Sequence, residues 1–206
     1  MFNTEDIYDQ VGKLLLNRRN HEFKNDLKLK MMGLPGNQAL QVMIDHCGLA
    51  DSIEVLFDES EAIFAVLLED QICMMPGLTE LLSTLESRNI PKAVATSSSA
   101  PFAVRALGCF GLQPRFEFIL TSADVENGKP HPDIYQLACK KLNLSTKDVL
   151  VLEDSLFGSQ AAVAAGTVTI AVPTIHSRDC NFDHVFAVAD SLRDQVIFDL
   201  IESNIG

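Results

Sequence analysis

Glu153, Asp154 and Ser155 follow a continuous apolar run, Val149-Leu150-Val151-Leu152, and are the residues of this chain best suited to chemistry. A short apolar run before an abrupt acidic turn reads as a buried strand of a parallel sheet. Acids at the C-terminal end of such a strand stand on the edge where open α/β sheets bind ligands. Two adjacent carboxylates beside a hydroxyl suit a hard cation held through oxygen, Mg2+ foremost. The same residues also suit a helix N-cap, at Asp154 or Ser155, with no metal. A helix of small residues follows them (Ala161, Ala162, Ala164, Ala165) and stops at Gly166.

Two further polar features fall at strand ends or in the loops beyond them. Thr96 and Ser97 follow the short apolar stretch Ala93-Val94-Ala95. They suit either a helix cap or a phosphate cradle, in which a hydroxyl and free backbone N–H groups meet an anion at a helix N-terminus. Lys129 stands between Gly128 and Pro130, a frame that can aim an ammonium inward, although a surface lysine is the plainer reading. Aimed inward, it would neutralise phosphate oxygens and a neighbouring carboxylate. Hydroxyl, lysine and acid pair on one edge are the parts that phosphoryl transfer needs, charge neutralisation and positioning. A nucleophile is missing from this set. His131 lies between prolines as a loop spacer, and His176 follows a strand end and can line the same edge. His21, His46 and His184 fall in helix or turn contexts. The remaining candidate is an aspartate at the end of a strand that the pattern does not show.

These residues need an α/β scaffold, and the chain is built to supply one. Its 206 residues suit one large domain or a domain with a subdomain, and 47% hydrophobic content is enough for a core. A net charge of −12 disfavours nucleic acid and anionic membrane as partners. Five scattered cysteines without CxxC spacing read as reduced thiols in cytoplasm. No apolar run approaches a membrane span. Residues 4–18 read as an amphipathic helix capped by Asn3 or Thr4, with Ile7, Val11, Leu14 and Leu15 on its apolar stripe. After a turn-rich break at Met31-Met32-Gly33-Leu34-Pro35-Gly36, residues 37–47 and 51–73 are again helical, the latter as one helix or two. From Met75-Pro76-Gly77 onward, helices alternate with short strands at 93–95, 116–120, 149–152, 168–172 and 185–188. That alternation predicts a doubly wound parallel sheet with its strand C-termini on one edge.

The motifs ATSSS at residues 95–99, GKPHPDIY at 128–135 and LEDS at 152–155 resemble the second, third and fourth motifs of the haloacid dehalogenase superfamily. The chain is most similar to its phosphatase and β-phosphoglucomutase branch. The resemblance implies a Rossmann-like α/β core with an inserted helical bundle as a cap. It assigns residues 4–74 to the cap and 75–206, with 1–3, to the core. It also implies a mechanism in which an aspartate attacks the phosphoryl group and water hydrolyses the aspartyl-phosphate, with a second aspartate as general acid/base. Thr96 and Ser97 would bind phosphoryl oxygens, Lys129 would bridge phosphate and nucleophile, and Asp154 with Glu153 would hold Mg2+. Glu5 and Gly33 fall at cap positions near the substrate. The cap would move about Thr4 and Met75-Pro76-Gly77.

In that family an Asp-x-Asp-Gly turn directly precedes the stretch matching Met1-Phe2-Asn3-Thr4-Glu5. The expectation is that the first motif and its central strand, between the strands ending at Thr96 and Glu153, lie upstream of Met1. Without them two buried strand edges are unpaired, at about 1–3 kcal/mol per unsatisfied group against a net stability of about 5–15 kcal/mol. The mutases carry an arginine shortly after the glycine matching Gly33, whereas Leu34-Pro35-Gly36 has no cation. Hydrolysis of a small phosphomonoester, of sugar phosphate or nucleotide type, is therefore expected over mutase action, from a monomer or weak dimer. A non-catalytic phosphate- or metal-binding protein is the alternative of a different class. A generic nucleotide-binding domain is disfavoured, because neither a GxGxxG nor a GxxxxGK[ST] loop is present.

Overall fold

Ile7, Val11 and Leu15 recur every fourth residue, and a helix is the structure that places all three on one side. In the computed structural model, which describes residues 1–31, 34 and 36–203, they are buried on α1 (Thr4–Asn17). Gly33 lies outside the described residues. α2 (Asn25–Met31) is a short helix where the sequence pattern gave only a break. It is anchored by the fully buried Leu27. α3 (Gly36–Cys47) follows, and α4 (Ile53–Gln71) is a single helix whose Ser52 cap accepts the Val55 N–H at 3.4 Å. α1 packs on α4, and α2 on α3. Leu15, Leu16, Leu27, Met43, Leu56 and Leu68 are fully buried in this part of the core. Arg19 ties the end of α1 to the other helices through Asp51 and Glu59, both at 2.7 Å.

Two chain segments connect these helices to the rest of the molecule, and they run side by side. Phe2 and Met74 form an antiparallel bridge, and Met75 N–H donates to Met1 O at 2.8 Å. Asn3 does not cap α1 as its residue type suggested. Its amide instead holds the returning segment, accepting from Cys73 N–H at 2.7 Å and donating to Gln71 O at 3.1 Å. Beyond this strap Gly77 adopts φ +94° to open α5 (Leu78–Ser87), and a Cβ there would meet the backbone of Leu192 at 2.8 Å.

Strands and helices then alternate: β1 (Val94–Ala95), α6 (Ala100–Gly108), β2 (Ile119–Leu120), α7 (Asp133–Leu142), β3 (Leu150–Glu153), α8 (Leu156–Ala165), β4 (Val168–Ala171), β5 (Ala187–Val188) and α9 (Gln195–Ser203). The last helix, whose Ile197 and Ile201 are buried, was not legible in the pattern. All the described ladders are parallel, but they form two sheets. β1 pairs with β2, and separately β3-β4-β5 pair in that order.

The edges that β1 and β3 do not use for these ladders line a common cavity of about 1710 Å³. Alternate residues of a strand direct their backbone groups to opposite sides. Val94 and Thr96 donate to Phe118 O and Leu120 O of the β2 side, and Glu153 O accepts from Val172 on the β4 side. Ala95, Leu150 and Leu152 therefore direct their backbone groups to the other side, into the cavity.

Candidate active site

Lys129 joins the two sheets. Its ammonium donates to Ala95 O at 3.2 Å, at the end of β1, and to the Glu153 carboxylate at the end of β3. Lysine and glutamate are both buried. Tyr135, on the first turn of α7, donates its hydroxyl to the same carboxylate oxygen, and the Lys129 ammonium lies 4.9 Å from the Tyr135 ring. Ser155 donates its hydroxyl to the other oxygen at 3.0 Å while accepting the Gly158 N–H at 3.0 Å as the cap of α8. Of the two candidate caps, Ser155 is the one used.

Burial alone would push the Glu153 carboxyl up. The charge and hydrogen bond of Lys129, with the hydroxyls of Tyr135 and Ser155, override it and hold the group below its ordinary value. Both Glu153 oxygens are thus occupied by protein donors. In this geometry Glu153 positions Lys129.

Gly158 is what lets that carboxylate sit against α8. A Cβ at this position would lie 2.1–2.2 Å from the Glu153 carboxylate atoms. Gly158→Ala is therefore expected to cost about 2–4 kcal/mol through overpacking and displacement of a buried ion pair. Urea unfolding of the variant checks this, and an unchanged midpoint would contradict it.

Asp154 is different. Its backbone carbonyl accepts from Ser177 Oγ at 2.6 Å, but no other side chain among the described residues donates a hydrogen bond to its carboxylate. Burial pushes the carboxyl up and the Glu153 charge adds to this, while the amino group of Met1 and Lys129 draw it back. The start of the chain therefore lies within electrostatic reach of Asp154.

A half-buried carboxylate that receives no side-chain donor suits a cation. No group of three or more His, Cys, Asp or Glu side chains able to hold a metal occurs among the described residues. Asp154 alone still fits Mg2+, an ion that is typically bound by one or two carboxylates together with water and substrate phosphate.

Thr96 Oγ1 accepts the Ser98 N–H at 3.1 Å, so its hydroxyl proton is available to a ligand. Ser99 caps α6 by accepting from Phe102 N–H at 3.4 Å. Thr96, Ser97, Lys129, Glu153 and Asp154 all line the same cavity. The backbone connection from Ala95 to Thr96, and from Glu153 to Asp154, brings Thr96, Lys129 and Asp154 together.

Glu5 enters the same cavity from α1. Burial, then the charges of Asp154 and Asp9, push its carboxyl from an ordinary 4.5 up to about 7, although His176 and Lys28 pull in the opposite direction. Lys28 of α2 pairs with Asp9 at 2.6 Å and meets His176 Nδ1 at 2.8 Å. His176 Nε2 in turn lies 2.7 Å from Asp6 Oδ1. His176, expected near the edge, thus meets the helices rather than the phosphate cradle. Lys28 and Tyr135 were not legible as site residues. Tyr135 was visible only as part of a motif, and Lys28 belongs to a helix too short for its periodicity to show.

An acid that holds its proton more tightly folded than unfolded weakens the fold as pH rises through that window, between 4.5 and about 7 for Glu5. Glu5→Gln is therefore expected to stabilise the protein by about 1–3 kcal/mol at pH 8 and by little at pH 4. Thermal unfolding at the two pH values checks this, and equal effects at both would contradict it.

Residues 1–172 match the model of the haloacid dehalogenase-like hydrolases, and the chain belongs to that family of enzymes. It is 30% identical over 170 residues to the phosphorylated carbohydrates phosphatase of Thermotoga maritima, covering 81% of this chain and 77% of that one. It is 33% identical over 189 residues to a probable pseudouridine-5'-phosphatase of Saccharomyces cerevisiae, covering 84% and 78%. Among solved structures its fold is similar to that of CbbY from Rhodobacter sphaeroides in complex with phosphate, with a TM-score of 0.84 at 24% identity, over 93% of this chain and 90% of that one. The α/β architecture is thus that of the haloacid dehalogenase-like hydrolases, and both of these curated relatives are phosphatases by name. No helix among the described residues is long and apolar enough to cross a membrane.

Proposed function

We propose that this protein is a Mg2+-dependent phosphatase of a small phosphomonoester, of sugar phosphate or nucleotide type. The observation that carries the reading is Lys129 held between Ala95 O and Glu153, with the Thr96 hydroxyl and the Asp154 carboxylate, which no described side chain donates to, on the same cavity. Lys129 and Thr96 bind the phosphoryl oxygens, with Ser97 at the cradle beside α6, and Glu153 holds the lysine in place. Asp154 supplies a protein oxygen for Mg2+, which when bound lowers the repulsion between phosphoryl oxygens and an approaching carboxylate.

The attacking group in this reading is an aspartate preceding Met1, where the backbone enters beside Asp154. Its carboxylate oxygen bonds to phosphorus as the bond to the ester oxygen breaks. That oxygen leaves with a proton from a second acid, and water then cleaves the acyl phosphate. Helices α1–α4 act as a cap over the site, moving about Thr4 and Met75-Pro76-Gly77, next to the bridge between Phe2 and Met74, and excluding water when closed. The reading includes a cytoplasmic monomer or weak dimer.

Phosphate release from a panel of sugar phosphates and nucleoside monophosphates, with Mg2+ or with chelator and with protein that includes the aspartate-bearing segment preceding Met1, tests the proposal. Release in Mg2+ that chelator abolishes is expected. Phosphate binding without release would select a binding protein instead, and turnover of β-glucose 1-phosphate to glucose 6-phosphate in excess of phosphate release would select a mutase.

A further inference from the structure

Beyond the cradle the cavity is lined by α1 and α4, so the rest of the ester lies against those helices. α1 presents Glu5 and Asp9 to the cavity, and α4 presents Asp58 and Glu61. On this face the described cation is Lys28. Its ammonium is already engaged by Asp9 at 2.6 Å and by His176 Nδ1 at 2.8 Å. Lys129 is committed to the phosphoryl end through Glu153. Lys92 and Lys147 also border the cavity, but they precede β1 and β3 and so stand at the opposite end of parallel strands, away from Thr96 and Asp154. Arg105 reaches Glu61 electrostatically but does not line the cavity, so a second anionic group on a substrate would meet carboxylates and, among the described lining residues at this end, no uncommitted cation.

A hydroxyl group meets the opposite situation. Glu5 makes no hydrogen bond or ion pair among the described residues, and its carboxylate needs donors. Glu61 has a 3.5 Å contact from Ser99 Oγ and lies within electrostatic reach of Arg105. Hydroxyls donate to carboxylates in strong, charge-assisted hydrogen bonds. A like charge placed against such a wall is penalised, and discrimination by a built-in repulsion is a general route to specificity.

Resting on the phosphatase reading above, we propose that Glu5 and the Asp9–Lys28 pair form a specificity wall that selects a monophosphate whose leaving group is an uncharged polyol. The wall turns away esters that carry a second phosphate or a carboxylate. Glu5 accepts hydrogen bonds from the hydroxyls nearest the ester. Asp9, fixed by Lys28, denies that lysine to a second anion.

The test compares pairs that differ in one anionic group, fructose 6-phosphate against fructose 1,6-bisphosphate and glycerol 3-phosphate against 3-phosphoglycerate. Binding is measured by calorimetry and phosphate release by turnover, both in Mg2+ at pH 8, where Glu5 is ionised, with protein that includes the aspartate-bearing segment the phosphatase reading places before Met1. The uncharged-tail member of each pair is expected to bind at least about tenfold more tightly, and Glu5→Gln is expected to shrink that ratio to about threefold or less. Equal or tighter binding of the doubly anionic member, or a ratio unmoved by Glu5→Gln, would overturn the wall. Discrimination in binding with no phosphate released from any ester would overturn the phosphatase reading and leave the wall standing. Release from all esters without discrimination would do the reverse, and no binding by any of them would overturn both.

Discussion

Lys129→Ala is expected to lose stability and phosphate binding together. The side chain is buried, and it is the charged partner of the equally buried Glu153. Without it Glu153 keeps two hydroxyl donors, from Tyr135 and Ser155, but no compensating charge. Removing one member of a buried pair costs about 3–5 kcal/mol, far more than the pair contributes relative to an apolar replacement. For a chain of this size that corresponds to a fall in Tm of about 10 °C. Lys129 also ties the end of β1 to the end of β3 through Ala95 O, so the two sheets lose a cross-link at the cavity.

A double variant, Lys129→Met with Glu153→Gln, removes both charges and is expected to recover most of the stability while phosphate binding stays lost. Thermal unfolding and phosphate calorimetry on both variants check this. A single variant as stable as the parent, or a double variant that binds phosphate normally, would contradict the assignment.

Asp154→Asn is expected to show the opposite pattern, with activity lost and the fold kept. The carboxylate is half-buried, lacks a side-chain donor among the described residues and is pushed up by its removal from water and by Glu153. Asparagine has nearly the same shape without the charge, so the Tm is expected to be unchanged or higher. If Asp154 is the protein oxygen for Mg2+, the variant loses the charge stabilisation that the ion supplies. Mg2+-dependent phosphate release is expected to fall by at least about a thousandfold, in line with several kcal/mol of transition-state stabilisation. Phosphate release and Mg2+ titration of the variant measure both effects. Near-normal release, or unfolding at room temperature, would remove Asp154 from that role.

The long helices and the strand-end motifs were legible in the sequence because their signals are local. Ile7, Val11 and Leu15 mark α1 by spacing alone, and the apolar run before Glu153 marks β3. That Lys129 and Tyr135 both bond Glu153 and not Asp154 was not legible. Adjacent acids look alike in a sequence, but neighbouring residues at a strand end face different ways. Only the fold brings Lys129 and Tyr135 to one of them, from 24 and 18 residues away.

The same applies to Lys28 and His176, which meet across 148 residues, and to Asn3, whose amide holds a segment 70 residues later in place of its own helix. α2 escaped detection because seven residues with one buried leucine carry too little periodicity to distinguish a helix from a turn. The motif resemblance identified the family and pointed to the residues around the cavity. It could not reveal that Gly158 leaves room for the Glu153 carboxylate, because that contact depends on how α8 packs against β3.

The most direct test of the site is a crystal structure of the protein soaked with Mg2+ and tungstate, an oxyanion of phosphate geometry whose density is unmistakable. The expected result is one tungstate within hydrogen-bond distance of the Thr96 hydroxyl and the Lys129 ammonium, with Mg2+ on the Asp154 carboxylate beside it. Tungstate bound elsewhere while Thr96 and Lys129 stay empty, or Mg2+ on other carboxylates with Asp154 free, would contradict it.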